Sequence, residues 1–229
     1  MYFGGYSFYL LIPALLLAIY AQGKVRSTYR RYARIMASSQ ITGAETARRL
    51  LNMGGAGAVA IEKIRGELTD HYNPRKKVLS LSAAVHDSHS LAALGIAAHE
   101  AGHALQHHQG YAPLSFRNAI FPVANIGSTL AFPLFFIGLI MSSRGPSILM
   151  DIGIWLFVAA VLFSVITLPV EFNASKRAVA LLQERGFLNS QEIGGARAVL
   201  SAAALTYVAS TAMAVLQLVR MLLLRSSRD

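Results

Sequence analysis

The chain has 229 residues, of which 54% are hydrophobic and 14% charged, with a formal net charge of +10 and no cysteine. Its mean hydropathy of +0.46 excludes an ordinary soluble domain and places it among membrane proteins. The missing cysteines exclude disulfides, thiolate metal ligands and a cysteine nucleophile. The basic residues sit beside apolar runs, so membrane topology accounts for the charge better than nucleic acid does.

Residues 1–23 carry no charge and are long enough to span a bilayer, with Pro13 as the expected kink. A signal peptide would begin with basic residues and end in small ones. Here Lys24, Arg26, Arg30, Arg31 and Arg34 follow the apolar run instead, which puts that end in the cytoplasm. Residues 24–117 are polar enough for water. Thr42 and Glu45 form a capping box opening a helix with the apolar face Ala47, Leu50 and Leu51, stopped by Gly54 and Gly55. Val59, Ile61 and Ile64 mark a short strand or helix. Thr69-Asp70-His71-Tyr72-Asn73-Pro74 reads as a turn-rich stretch, and residues 77–82 alternate as a short strand.

His99-Glu100-Ala101-Gly102-His103 follows, flanked by Ile96, Ala97, Ala98, Ala104 and Leu105, a small-residue helix suited to burial beneath a cleft. Two His four apart share one helix face and can hold one Zn²⁺. The Glu beside the first then points at the water on the metal, where a general base is needed.

Residues 118–143 are uncharged and about one span long, with Pro122 and Pro133 inside. Arg144-Gly145-Pro146 makes a tight exterior turn. Residues 152–170 form a second uncharged span with Asp151 at its edge. Glu171 begins a polar helix carrying Lys176, Arg177, Glu184 and Arg185, which Gly186 stops. Residues 198–219 are a fourth apolar run ending in Arg220, Arg225 and Arg228, which spans the bilayer or lies on its interface. No internal repeat is evident. Two spans separate His103 from Glu171, so both lie on the same side, and the flanking Lys and Arg make that side cytoplasmic.

Catalytic zinc takes three protein ligands and leaves a fourth position for water. A His six residues after His103 would complete the metzincin pattern, but Gln109 stands there. His107 continues the four-residue spacing, yet three His on consecutive turns of a straight helix spread over about 12 Å. His107 and His108 therefore read as polar surface residues. A downstream carboxylate remains, and Glu171 fits. Each residue also has a plainer reading: His99 and His103 as buried structural histidines, Glu171 as an acid at a helix N-terminus. Asp70 and His71 can be turn caps, Tyr72 a packed ring, and His86 with His89 an exposed loop pair.

Four stretches carry a resemblance. They are Asp70-His71-Tyr72-Asn73-Pro74, Leu91 through Ala104, Pro122-Val123-Ala124-Asn125-Ile126-Gly127-Ser128, and Leu168-Pro169-Val170-Glu171-Phe172-Asn173-Ala174-Ser175. Together they closely resemble the bacterial neutral zinc metallopeptidases of the YugP-like membrane family, itself similar to the HtpX type of membrane gluzincin. The likeness runs from the first span to Leu205-Thr206-Tyr207. It implies that His99, His103 and Glu171 ligate one catalytic zinc and that Glu100 is the base. The chain departs from the family pattern at Asn73 and Asn173, where Asp is usual, and at His86, where an aromatic is usual. An Asp two residues after the Glu ligand would orient a His ligand; Asn173 retains an acceptor oxygen without the charge.

The expected fold is a mainly α integral membrane protein with three to four transmembrane helices and a small α+β zincin-like domain carrying a short sheet. Its parts are a transmembrane helix at 1–23, a cytoplasmic catalytic region at 24–117, a transmembrane hairpin at 118–170, the Glu171 helix at 171–197, and a transmembrane or interfacial helix at 198–229. The expected reaction is peptide hydrolysis at the cytoplasmic face of the bacterial cytoplasmic membrane, acting on membrane-associated proteins or peptides, with no nucleic-acid partner. His71 or Tyr72 is the favoured second donor to the tetrahedral oxyanion. The strand at 77–82 is expected to offer an open edge to an extended substrate. The rival is a non-proteolytic membrane scaffold, or pseudo-protease, with a structural zinc site, which would need a fourth protein ligand. A transporter would carry ionisable residues within its spans, and these spans have none.

Overall fold

The computed structural model describes residues 7–141, 145 and 147–227. The exterior turn expected at Arg144 and Pro146, and Arg228 at the end of the last run, lie outside the described residues. The elements in chain order are α1 (Ile12–Tyr32), α2 (Gly43–Met53), β1 (Ala60–Ile64), β2 (His71–Asn73), β3 (Val78–Ser82), α3 (Ala83–His86), α4 (Leu91–His108), α5 (Ala112–Met141), α6 (Ile148–Glu184) and α7 (Ile193–Ser226). The chain divides into two compact units.

The first unit comprises residues 1–21, 115–169 and 206–229. Four helical segments, Ser7–Tyr32, Ala112–Met141, Ile148–Glu184 and Ile193–Ser226, are long and apolar enough to cross a membrane. The fourth apolar run therefore belongs to a helix of spanning length, 34 residues, beginning five residues before the sequence boundary at 198. The helix is interrupted at residues 10–11, just ahead of Pro13, whose missing N–H cannot continue a helical ladder. Pro122 and Pro133 sit inside an unbroken α5. This unit's core is Ala131, Phe135, Met150, Ile154, Phe157, Val161 and Met221. Its outer surface is apolar too: Ile140 is 82% exposed and Trp155 73%. Surface of that kind needs lipid as its solvent. Ser164 and Thr167 return their hydroxyls to the carbonyls of Ala160 and Phe163 on their own helix.

The second unit comprises residues 22–114 and 170–205. Thr42 caps α2, its hydroxyl accepting from the Glu45 N–H at 3.1 Å. The reciprocal half of the expected capping box is absent, because the Glu45 carboxylate pairs with Arg49 one turn on. Leu50 and Leu51 on α2 join Leu79, Leu81, Leu94, Ala97, Ala101, Leu105 and Leu182 in one core. The ambiguous segment around Ile61 is strand β1. Residues 71–73, read as a turn, form strand β2 instead. The turn comes one step later, where the Asn73 side-chain oxygen accepts from the N–H groups of Arg75 and Lys76, both at 3.1 Å.

The sheet order is β1-β3-β2, with β3 parallel to β1 and antiparallel to β2. The expectation of an open edge at residues 77–82 is thereby corrected. β1 pairs with β3 along residues 78–82 and β2 along residues 78–80, so β3 is the central strand and not an edge. Asp70 locks the strand's end by accepting from the Ser82 N–H at 2.7 Å and from its hydroxyl. Ser82 is fully buried, so Asp70→Ala leaves two buried donors without an acceptor. Equilibrium unfolding of the detergent-solubilised chain should show a loss of about 1–3 kcal/mol.

The sequence boundary at Glu171 is also corrected. The polar helix does not begin there: α6 runs unbroken from Ile148 to Glu184, and Glu171 lies mid-helix. The polarity changes at that residue while the backbone continues, so a helix-dipole role for Glu171 falls away. Gly186 does end the segment, at φ +67°, with the N–H groups of Phe187 and Leu188 both returning to the Leu182 carbonyl.

Candidate metal centre

Ser90 caps α4 through its hydroxyl, which accepts from the Ala93 N–H at 3.2 Å. The following run of Ala and Leu propagates the helix and buries most of it. His99 and His103, four apart, share one face, with ring centroids 4.7 Å apart and planes at 84°. Their bare edges meet Glu171 of α6. Gly102 permits the approach: a Cβ there would lie 3.1 Å from the Ala174 carbonyl oxygen of α6. Ala174 and Ala178, three and seven residues after Glu171, are fully buried. The small stripe that seats α6 on α4 thus also presents Glu171.

His99 Nε2, His103 Nε2 and one Glu171 carboxylate oxygen form a nearly equilateral triangle. Its sides are 3.1 Å between the nitrogens and 3.3 and 3.4 Å from them to Glu171 Oε2. Ligands of a tetrahedral zinc, each about 2.0–2.1 Å from the ion, stand about 3.3 Å from one another. The donor set fits the ion in type and in spacing. Among the described residues these three side chains are the metal-capable cluster of His, Cys, Asp and Glu. The centre is also electrostatically suited to a cation. Burial pushes the His103 imidazole down, but hydrogen bonding to Glu171 and the charges of Glu100 and Glu171 outweigh it and raise its pKa above the ordinary value.

Glu100 is buried beside the triangle, at 9% exposure. No hydrogen bond to a described residue ties down its carboxylate. Two residues not singled out as site residues hold the imidazoles from behind: Gln106 Oε1 lies 3.0 Å from His103 Nδ1, and Ser175 Oγ 3.1 Å from His99 Nδ1. The signal was present in the spacing, Gln106 three residues after His103 and Ser175 four after Glu171.

The remaining histidines stand outside the cluster. His107 is half-buried and bonds through Nδ1 to the Tyr72 hydroxyl at 2.8 Å, so it is Tyr72's partner and not a surface residue. Burial pushes the Tyr72 phenol above its usual range. His71 is exposed and its Nδ1 meets the Thr69 carbonyl at 2.9 Å. His86 pairs with Asp87, and exposed His89 bonds the Gln40 carbonyl. Asp70 serves Ser82, twelve residues on, and not a local turn.

Four helices of membrane-spanning length, a small three-stranded sheet and a His, His and Glu triangle that could hold a metal ion are the features the chain brings to a comparison with known proteins. Residues 7–226 match the family "Putative neutral zinc metallopeptidase", and the chain belongs to that family. It is 47% identical over 216 residues to "Putative membrane protease YugP" of Bacillus subtilis (strain 168), covering 94% of this chain and 95% of that relative. No solved structure matches it.

Proposed function

We propose that the chain is a membrane-embedded endopeptidase holding one catalytic zinc ion on His99, His103 and Glu171. The observation that carries this is the ligand triangle with an untied, buried Glu100 beside it. A structural zinc would be closed by a fourth protein ligand, and among the described residues none joins the three. Zinc bound there supplies a Lewis acid for the scissile carbonyl and a more acidic water. Glu100 takes a proton from the attacking water and delivers it to the leaving amine nitrogen, which departs neutral. Tyr72 is the favoured second donor to the oxyanion: its hydroxyl is held by His107, and it can turn its proton to a developing charge. His71 is the other candidate on the same strand.

The substrates are proteins or peptides associated with the bilayer, met at the cytoplasmic face of the bacterial cytoplasmic membrane. Lys24, Arg26, Arg30, Arg31 and Arg34 after the first apolar run support that orientation, as do Lys176 and Arg177 after Glu171.

Stripping the detergent-solubilised chain with a zinc chelator should abolish peptide cleavage, and added zinc should restore it. Because the chain has no cysteine, a single Cys introduced at exposed Lys76 reports the orientation. It should react with a membrane-impermeant thiol reagent in inverted vesicles and stay unreacted in intact cells. Cleavage that survives complete metal removal sinks the mechanism; labelling in intact cells reverses the topology.

A further inference from the structure

We propose that Gln106 and Arg177 are positioning residues of this centre, through a relay running Arg177, Asn173, Gln106, His103. The inference rests on the zinc-site reading above and adds what sets the imidazole. A guanidinium only donates, and Arg177 Nε lies 2.7 Å from one end of the Asn173 amide, so that end is the oxygen. Gln106 Nε2 lies 3.0 Å from that same oxygen and 3.0 Å from the Val170 carbonyl. Two acceptors on one side fix the Gln106 amide with its nitrogen toward them. Its oxygen therefore faces His103 Nδ1, 3.0 Å away. An amide oxygen only accepts, so Nδ1 carries the proton and Nε2 keeps its bare lone pair, aimed into the triangle.

Each link determines the next, and the determination begins with a cation that has no alternative role. Ser175 behind His99 cannot do the same, because a hydroxyl both donates and accepts. Gln106 is fully buried, so no bulk water can replace its oxygen. Arg177 is itself held, its guanidinium bonding Gln109 and lying 5.7 Å from the centre of the Tyr111 ring. The loop after α4 is thus clasped to α6, and Asn173, uncharged, passes the orientation on without placing another carboxylate beside the ligands.

The test is zinc affinity of the full chain in detergent, by competition with a chromophoric chelator, for wild type, Gln106→Leu, Arg177→Met and Asn173→Asp. Visible absorption of the Co²⁺-loaded forms is read alongside. Gln106→Leu should bind zinc about 10–100-fold more weakly, with an altered Co²⁺ spectrum. Arg177→Met should weaken it in the same direction. Asn173→Asp should keep near wild-type affinity, since a carboxylate still accepts from both donors. Should Gln106→Leu not fold, Gln106→Met replaces it: a side chain of similar length without the amide oxygen also removes the acceptor behind His103 Nδ1, and the same loss is expected. Unchanged affinity and spectrum in the Gln106 variant overturn the relay, and unchanged affinity in Arg177→Met removes Arg177 from it. A wild-type chain that binds no zinc overturns the centre itself, a separate outcome.

Discussion

Glu100→Gln should lower peptide cleavage by about 10²–10⁴-fold, the range for losing a general base, while leaving zinc content at the wild-type level. The two halves of this expectation come from different features. Retained zinc follows because Glu100 is not one of the three atoms of the triangle. Lost turnover follows because an amide cannot accept a proton from water at neutral pH. The substitution is close to isosteric, and no hydrogen bond to a described residue depends on the carboxylate, so the fold should not change. Steady-state cleavage and metal analysis on the same sample check both halves. Turnover near wild type would remove Glu100 as the base; loss of zinc would move it into the ligand set.

The second large effect is at Glu171, which supplies the one anionic corner of the triangle. Glu171→Ala removes the charge and the third donor together. Zinc affinity should fall by more than the about 10–100-fold typical of an outer-shell partner, and cleavage should fall with it. The residue is 2% exposed, so water reaches the vacated corner poorly and is a weak substitute. Glu171→Gln separates the two contributions, because it keeps shape and an oxygen but not the charge; its affinity should lie between the other two. Chelator competition in detergent measures all three. Wild-type affinity in Glu171→Ala would point to another third ligand.

Much of this centre was legible in the sequence. The four-residue spacing of His99 and His103 fixes one helix face, and the hydropathy parity between His103 and Glu171 puts them on one side. Neither needs tertiary information. What could not be read is whatever depends on which groups approach across elements. Gln106 has no role in the sequence reading; its importance comes from the Val170 carbonyl and Asn173, more than sixty residues away. His107 looked like surface until Tyr72 of β2 came to it.

Strand β3 shows a different limit. Alternation identifies a strand but not its place in the sheet, and a central strand with one polar face looks like an edge. Here the polar residues Ser80 and Ser82 are buried as well, satisfied by Glu62 and Asp70. Glu171 shows a third. A drop in hydropathy was read as an element boundary, yet backbone hydrogen bonding does not sense the change of solvent, and α6 passes through it unbroken.

The central claim, one zinc held by His99, His103 and Glu171 for hydrolysis, is tested most directly by metal stoichiometry. Zinc per chain is measured on the purified wild type and on Glu171→Ala, with cleavage of a casein or peptide substrate on the same samples. The account expects one zinc per wild-type chain, and zinc and cleavage lost together in the variant. Equal zinc in both would contradict the three-ligand centre, and a full complement of zinc with no cleavage of any membrane-associated or soluble substrate would contradict the peptidase.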